Sequence, residues 1–195
     1  GAVLGGSHAD VATGNLVGVR WTSGLRTQDI DIAAARVLEV AVPQQEADLP
    51  RVLESLNMGF LPVPGFDPRE PETLFKVRGR TLRVDLLTPA RGRRDGKPVA
   101  IPRFKATAHP MEFLDYLLEA PVPAPVINGG ATLVNLPDPA RFALHKLVVA
   151  GDRPVSAQAK AAKDRQQAAE LIEVLYADRR GDLRIALDSL NRQPR

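Results

Sequence analysis

Gln28-Asp29-Ile30-Asp31-Ile32 alternates polar and apolar side chains. A period of two predicts a β-strand with one face buried. Residues two apart on a strand share a face, so Asp29 and Asp31 project together while Ile30 faces a core. Like charges held side by side are costly unless a cation lies between them. A second run, Leu82-Arg83-Val84-Asp85-Leu86-Leu87, carries one more acid, with Val84 and Leu86 on the opposite side. If the two strands are neighbours, Asp85 joins the pair. Three carboxylates suit magnesium, a hard ion that takes oxygen ligands and keeps waters and phosphates as its other partners.

Before the first acids, Ala2-Val3-Leu4 reads as a short strand running into a Gly5-Gly6-Ser7 turn. Ser7 is expected to cap a helix from His8 to about Val17, since its hydroxyl can accept from the first free N–H groups. Glycines at such a turn let backbone approach an anion, and the helix dipole favours negative charge there. Gly6 and Ser7 are therefore candidate phosphate holders. A loop with Trp21, Thr22, Ser23 and Gly24 leads to the first acid strand.

Beyond it, Leu49, Val52, Leu53 and Leu56 recur at helical spacing within Ala47 to Leu56, and a Pro-rich loop follows with Pro62, Pro64, Pro68 and Pro71. A hairpin is expected from Leu74-Phe75-Lys76-Val77, turning at Arg78-Gly79-Arg80 into the Asp85 strand. The loop from Ala90 to Pro98 collects Arg91, Arg93, Arg94 and Lys97, then Val99 to Phe104 reads as a strand. From about residue 110 the chain reads as mostly helical. A short amphipathic run covers Met111 to Leu118, and Thr132 to Asn135 is a brief strand. Asp138-Pro139 starts a helix, with Asp as N-cap and Pro at the first position, ending at Gly151. Another helix spans about Ala157 to Tyr176, carrying Lys160, Lys163 and Arg165, and a last one starts near Asp182. The expected class is α+β: a small mixed sheet with helices on one face, then a helical C-terminal portion. Residues 1–108 form the expected core, and 109–195 the helical portion.

A length of 195 residues suits one domain, or one domain with a helical appendage. No apolar run is long enough to cross a bilayer, and no charged-then-apolar leader precedes the first motif. Zero cysteines exclude disulfides and thiolate metal sites, and a reducing, cytoplasmic location is expected. A net charge of +3 permits a nucleic-acid partner without requiring one. Taken singly, a D-x-D pair, a Gly-Gly-Ser turn and a cluster of basic residues are ordinary surface features. Their order along the chain (strand, Gly-Gly-Ser, helix, D-x-D strand, then an acid in a later strand) is the specific signal.

That order resembles the DNA polymerase β-like nucleotidyltransferase superfamily, through Leu4-Gly5-Gly6-Ser7, Asp29-Ile30-Asp31 and Asp85. The branch it resembles is a bacterial family of nucleotidyltransferases. The carrying stretches are Arg26 to Ile32, Val84-Asp85-Leu86-Leu87-Thr88-Pro89, the run Pro137 to Leu147, and Lys160 to Ala168. The gap between Ser7 and Asp29 is longer than that superfamily's usual one. The chain also starts at the first motif strand, where related chains carry an N-terminal region, which fits a trimmed chain or a fragment.

The resemblance implies a polymerase β-like palm, magnesium (or manganese) on Asp29, Asp31 and Asp85, and transfer of an NMP from an NTP with release of pyrophosphate. Asp85 would also take the acceptor's proton. The helical half resembles abortive-infection nucleotidyltransferase toxins, which place a Lys near the NTP phosphates and an Asp on the next helix. Lys146 and Asp164 match those positions and are expected to bind nucleotide beside the core, with ATP among the candidates. Phe142, Leu144, Leu147 and Val148 make much of that helix apolar, so His145 and Lys146 are expected to need a polar cleft. Neither His8 nor His145 is expected to serve as a base.

The acceptor is expected to be an RNA end or a protein hydroxyl, with Arg91, Arg93 and Arg94 as acceptor contacts. An antitoxin or a second copy of the chain is a conceivable partner. The alternatives are a catalytically idle fold that senses a nucleotide or holds a partner, and a metal-dependent phosphodiesterase or nuclease using the same carboxylates.

Overall fold

Strand β5 (Arg83–Pro89) is the centre of the sheet, and its burial alternates along its whole length. Val84, Leu86 and Thr88 are buried, whereas Arg83, Asp85 and Leu87 are half-exposed. On one side β5 pairs in parallel with β2 (Asp29–Ala33), which pairs antiparallel with β1 (Val3–Leu4). On the other it pairs antiparallel with β4 (Leu74–Val77), which is followed outward by β3 (Phe60–Pro62). Past the end of β4, the last residues of β5 take β7 (Ala106–Met111) in parallel, and β6 (Val99–Ile101) pairs antiparallel with β7. These seven strands form one mixed sheet in the order β1-β2-β5-β4-β3, with β7 and β6 branching from β5. The computed structural model describes residues 2–21, 29–35, 47–64, 71–92, 96–127 and 130–193.

One face of the sheet is apolar because the strands alternate in register. Val84, Leu86, Phe75, Ile101 and Ala108 are buried there with Leu49 and Leu53 of α2 (Leu49–Ser55), and Ile30 and Ile32 pack against them. Each fully buried aliphatic or aromatic side chain contributes about 1.5–3 kcal/mol. Helix α2 starts where the sequence dictates: Asp48 accepts from the Arg51 N–H at 3.0 Å, and Pro50 occupies the first turn, where no N–H is needed.

The chain forms two compact units, Gly1–His8 with Arg26–Asp115, and Ala9–Leu25 with Tyr116–Arg195. The first holds the sheet and α2. The second holds most of α1 (Gly6–Val17), the end of α3 (Leu114–Leu118), and a hairpin of β8 (Val122–Ile127) and β9 (Ala131–Leu136). It also holds α4 (Pro139–Asp152), α5 (Gln158–Asp178) and α6 (Arg180–Asn191), with α4 packed along α5. Tyr116 is fully buried in this unit, and its hydroxyl donates to the Ala186 carbonyl of α6 at 2.9 Å. Arg141 stacks on the Tyr116 ring, donates to the Tyr116 carbonyl and pairs with Glu119. No helix of the described residues is long and apolar enough to cross a membrane.

The α+β class, the mixed sheet and the helical C-terminal portion are as expected. The Asp138 cap is present, accepting from the Arg141 N–H at 3.0 Å. Helix α1 starts at Gly6, so Ser7 lies inside its first turn rather than before it. Met111 belongs to β7, which confines the expected amphipathic run to α3. Three strands were not expected, and each contains proline. Pro62 is tolerated because β3 is at the sheet's edge. Pro123 and Pro125, two apart on β8, place both donor-less nitrogens on the side away from β9, the partner of β8 among the described residues.

Candidate active site

The parallel register of β2 and β5 sets Asp31 opposite Asp85, and Asp29 opposite Arg83. Because Val84 and Leu86 are committed to the core face, Asp85 and Arg83 must occupy the other face, together with Asp29 and Asp31. The register with β4 adds Leu74 beside Asp85 and Lys76 beside Arg83. Two rows therefore cross the same face, Leu74-Asp85-Asp31 and Lys76-Arg83-Asp29.

The Gly5-Gly6 turn closes against the first row. The Gly5 N–H donates to the Asp31 carbonyl at 2.7 Å. Gly6 has a φ of +59°, a left-handed conformation that favours glycine, and a Cβ there would fall inside the Asp31 carboxylate. Ser7, in the first turn of α1, is buried. The glycine turn, D-x-D and third acid thus meet on one side of the sheet.

The unexpected member is Arg83. Its Nη2 donates to Asp29 Oδ2 at 2.8 Å, and its Nε lies 3.4 Å from Asp85 Oδ2. The three side chains are between 26% and 37% exposed, so the cluster opens to solvent. Arg83 is two residues before Asp85, and that spacing in the sequence was its signal. Among the described residues no three His, Cys, Asp or Glu side chains are grouped to hold a metal ion. By donor type the site still suits a hard divalent cation. It offers three carboxylates from two adjacent strands on one open face, and a cationic group already bridges two of them.

In the second unit, Lys146 and Asp164 come together as a buried pair. Lys146 is 6% exposed, and its Nζ lies 3.4 Å from Asp164 Oδ1 while donating to Gln167 Oε1 at 2.7 Å. Gln167 in turn donates to Asp10 Oδ2 at 2.8 Å, and Arg153 holds the other Asp164 oxygen at 2.7 Å. Asp10 and Arg153 were not singled out from the sequence, and Gln167 carried part of the family resemblance without being given a role. The available signal was Gln167 three residues after Asp164, on the same face of α5. Burial pushes Asp10 above the usual carboxylate range and Lys146 below the usual ammonium range, with Asp164 and then Asp10 opposing the shift on Lys146.

His145 does not find the polar cleft expected for it. It is 6% exposed, and its Nε2 has no hydrogen-bond partner among the described residues. Burial, then Lys146, push it down to about 4, so it is neutral at pH 7. Arg91 and Lys97 are exposed around the loop after β5, whereas Arg93 and Arg94 lie outside the described residues.

No curated protein and no solved structure matches the chain. A family model described as nucleotidyltransferase matches residues 1–191, nearly all of the 195 residues, and the chain belongs to that nucleotidyltransferase family.

Proposed function

We propose that the chain transfers an NMP from an NTP to an acceptor hydroxyl, releasing pyrophosphate, on the face bearing Asp29, Asp31 and Asp85. The observation that carries this reading is the register that sets Asp31 beside Asp85, with Asp29 on the same face, against the Gly5-Gly6 turn. Asp29, Asp31 and Asp85 would hold magnesium, with manganese as a substitute. A divalent ion bound there would polarise the α-phosphate and neutralise charge on the leaving pyrophosphate. The remaining work falls to the chain. The N-terminus of α1, with Gly6 and Ser7, presents backbone N–H groups and its dipole to phosphate. Asp85 accepts the acceptor's proton as the acceptor oxygen bonds to the α-phosphorus, and the bond to the bridging oxygen breaks with its electrons leaving on pyrophosphate.

The favoured acceptor is an RNA end. Arg78 and Arg80 are exposed on the β4–β5 hairpin, and backbone recognition needs only such positive charge. The test supplies each α-labelled NTP with total RNA and with cell protein, in magnesium and in manganese. Label should enter RNA with the natural chain and be lost in Asp29→Asn/Asp31→Asn while the variant stays folded. Equal transfer by that variant sinks the proposal, and label in protein alone moves the acceptor to a protein hydroxyl.

A second reading, an NTP-binding fold without turnover, is favoured by Arg83 occupying two of the three acids. Calorimetric NTP binding with no pyrophosphate release under every condition would select it.

A further inference from the structure

Asp29 and Asp85 each direct an oxygen at Arg83, and those same Oδ2 atoms are among the donors a divalent ion would need. We propose that Arg83 is the built-in counter-ion of the acid cluster: its guanidinium and a divalent cation compete for Asp29 and Asp85, so Arg83 sets the cation concentration at which the site loads. This rests on the proposed metal role of the three acids.

Three observations support competition rather than passive neighbourhood. The guanidinium spans from β5 to β2, contacting Asp29 through Nη2 and Asp85 through Nε, so it draws on two acids from two strands. Its position is fixed by register, because the residue two before Asp85 must share Asp85's face. The three side chains are only partly buried, so a dissolved cation can reach the two oxygens that Arg83 approaches. A planar fork suits this bridging and sets one positive charge against Asp29 and Asp85.

Lys76 supplies an internal control. It lies beside Arg83 on the same face but is exposed and pairs with no acid among the described residues. Its charge therefore acts on the cluster only through solvent, where screening weakens it.

The test is calorimetric titration of Mn²⁺ into the full chain at low ionic strength, comparing the natural protein with R83Q, R83K and K76Q. An exposed pair typically shifts an equilibrium by a few fold, and two such pairs compound to about tenfold. R83Q should therefore bind Mn²⁺ about tenfold more tightly. R83K, which keeps the charge without the fork, should fall between, and K76Q should stay within about twofold. In parallel, the Arg83 ¹⁵Nη–H signals, which include the donor to Asp29, should lose their protection from exchange as Mg²⁺ is added. Unchanged or weaker Mn²⁺ binding in R83Q overturns the inference while leaving the metal site standing. Absence of binding in both the natural chain and R83Q, relative to Asp29→Asn/Asp31→Asn, removes the metal reading and this inference with it. Should R83Q fail to fold, R83K decides: an affinity equal to or below that of the natural chain refutes competition.

Discussion

Acidification from pH 7 to pH 5 should unfold this protein more readily than its His145→Leu variant, and the size of the effect follows from burial. His145 goes from an ordinary 6.5 in the unfolded chain to about 4 in the fold. Its folded value is depressed, so between these limits the unfolded chain binds a proton that the folded chain refuses. Stability is therefore full above 6.5 and is lost as pH falls toward 4. At about 1.4 kcal/mol per unit, the gap between 6.5 and about 4 sets a ceiling of about 3 kcal/mol, of which about 2 kcal/mol is lost between pH 7 and pH 5. Asp10 works in the opposite direction: its raised value makes it a contributor at low pH that fades as pH rises. Because Asp10 is present in both proteins, the difference between them isolates His145. Leucine replaces the ring at similar volume and deletes an Nε2 that has no hydrogen-bond partner among the described residues. Urea unfolding at the two pH values reads the outcome. With a slope near 2 kcal/mol per molar, the natural chain's midpoint should fall by about 1 M more than the variant's. If the two midpoints move in parallel, His145 is not buried neutral and the reasoning fails.

Two further substitutions test the turn and the buried network. Gly6→Ala places a Cβ 2.9 Å from Asp31 Cγ at a φ of +59°, so it should cost about 1–2 kcal/mol in backbone conformation alone and lower transfer at least tenfold by displacing Asp31. Gly18→Ala, also at positive φ but with nothing within 4 Å, should lose similar stability and keep its transfer rate, as thermal unfolding and labelled-NTP assays will report. Lys146→Met leaves Gln167 Oε1 without its donor and two buried acids short of one cation, for an expected loss of about 3–5 kcal/mol in urea unfolding. Adding Asp10→Asn should recover part of that loss, and a single-variant loss below about 1 kcal/mol would show the network is not buried as described.

Where the sequence was readable, one periodicity decided the outcome. The alternation in Asp29–Ala33 and Arg83–Pro89 exposes both the strands and the face their acids share, and Asp138-Pro139 marks the start of α4 through a cap that needs no tertiary information. Strands β3, β7 and β8 were hidden by Pro62, Pro110, Pro123 and Pro125, since local rules count proline against a strand and only topology shows which edges are free. At the site, the three acids could be named from spacing, but their pairing with Arg83 required the register that sets Asp29 beside it. The Asp10–Gln167 hydrogen bond joins residues 157 apart in the chain, and no local pattern encodes it. His145 was misjudged for a related reason. An apolar helix surface implies that its polar residues need partners, yet Nε2 is accommodated by staying neutral instead.

The alternation that builds the core also makes Arg83 inseparable from the acid face. A one-residue slip of β5 would turn Val84 and Leu86 to solvent and bury Asp85 and Arg83, exchanging a favourable transfer for the desolvation of two charges. The core therefore fixes the register, and with it the side on which residue 83 emerges. Any side chain at that position must face Asp29 and Asp85. A neutral one removes the positive charge that bridges Asp29 and Asp85. A basic one lies between them at all times and, under the metal role proposed for these acids, competes with an incoming cation. On the proposed metal role, stability without metal and affinity for metal are thus opposed through one side chain, and Arg at 83 favours the former.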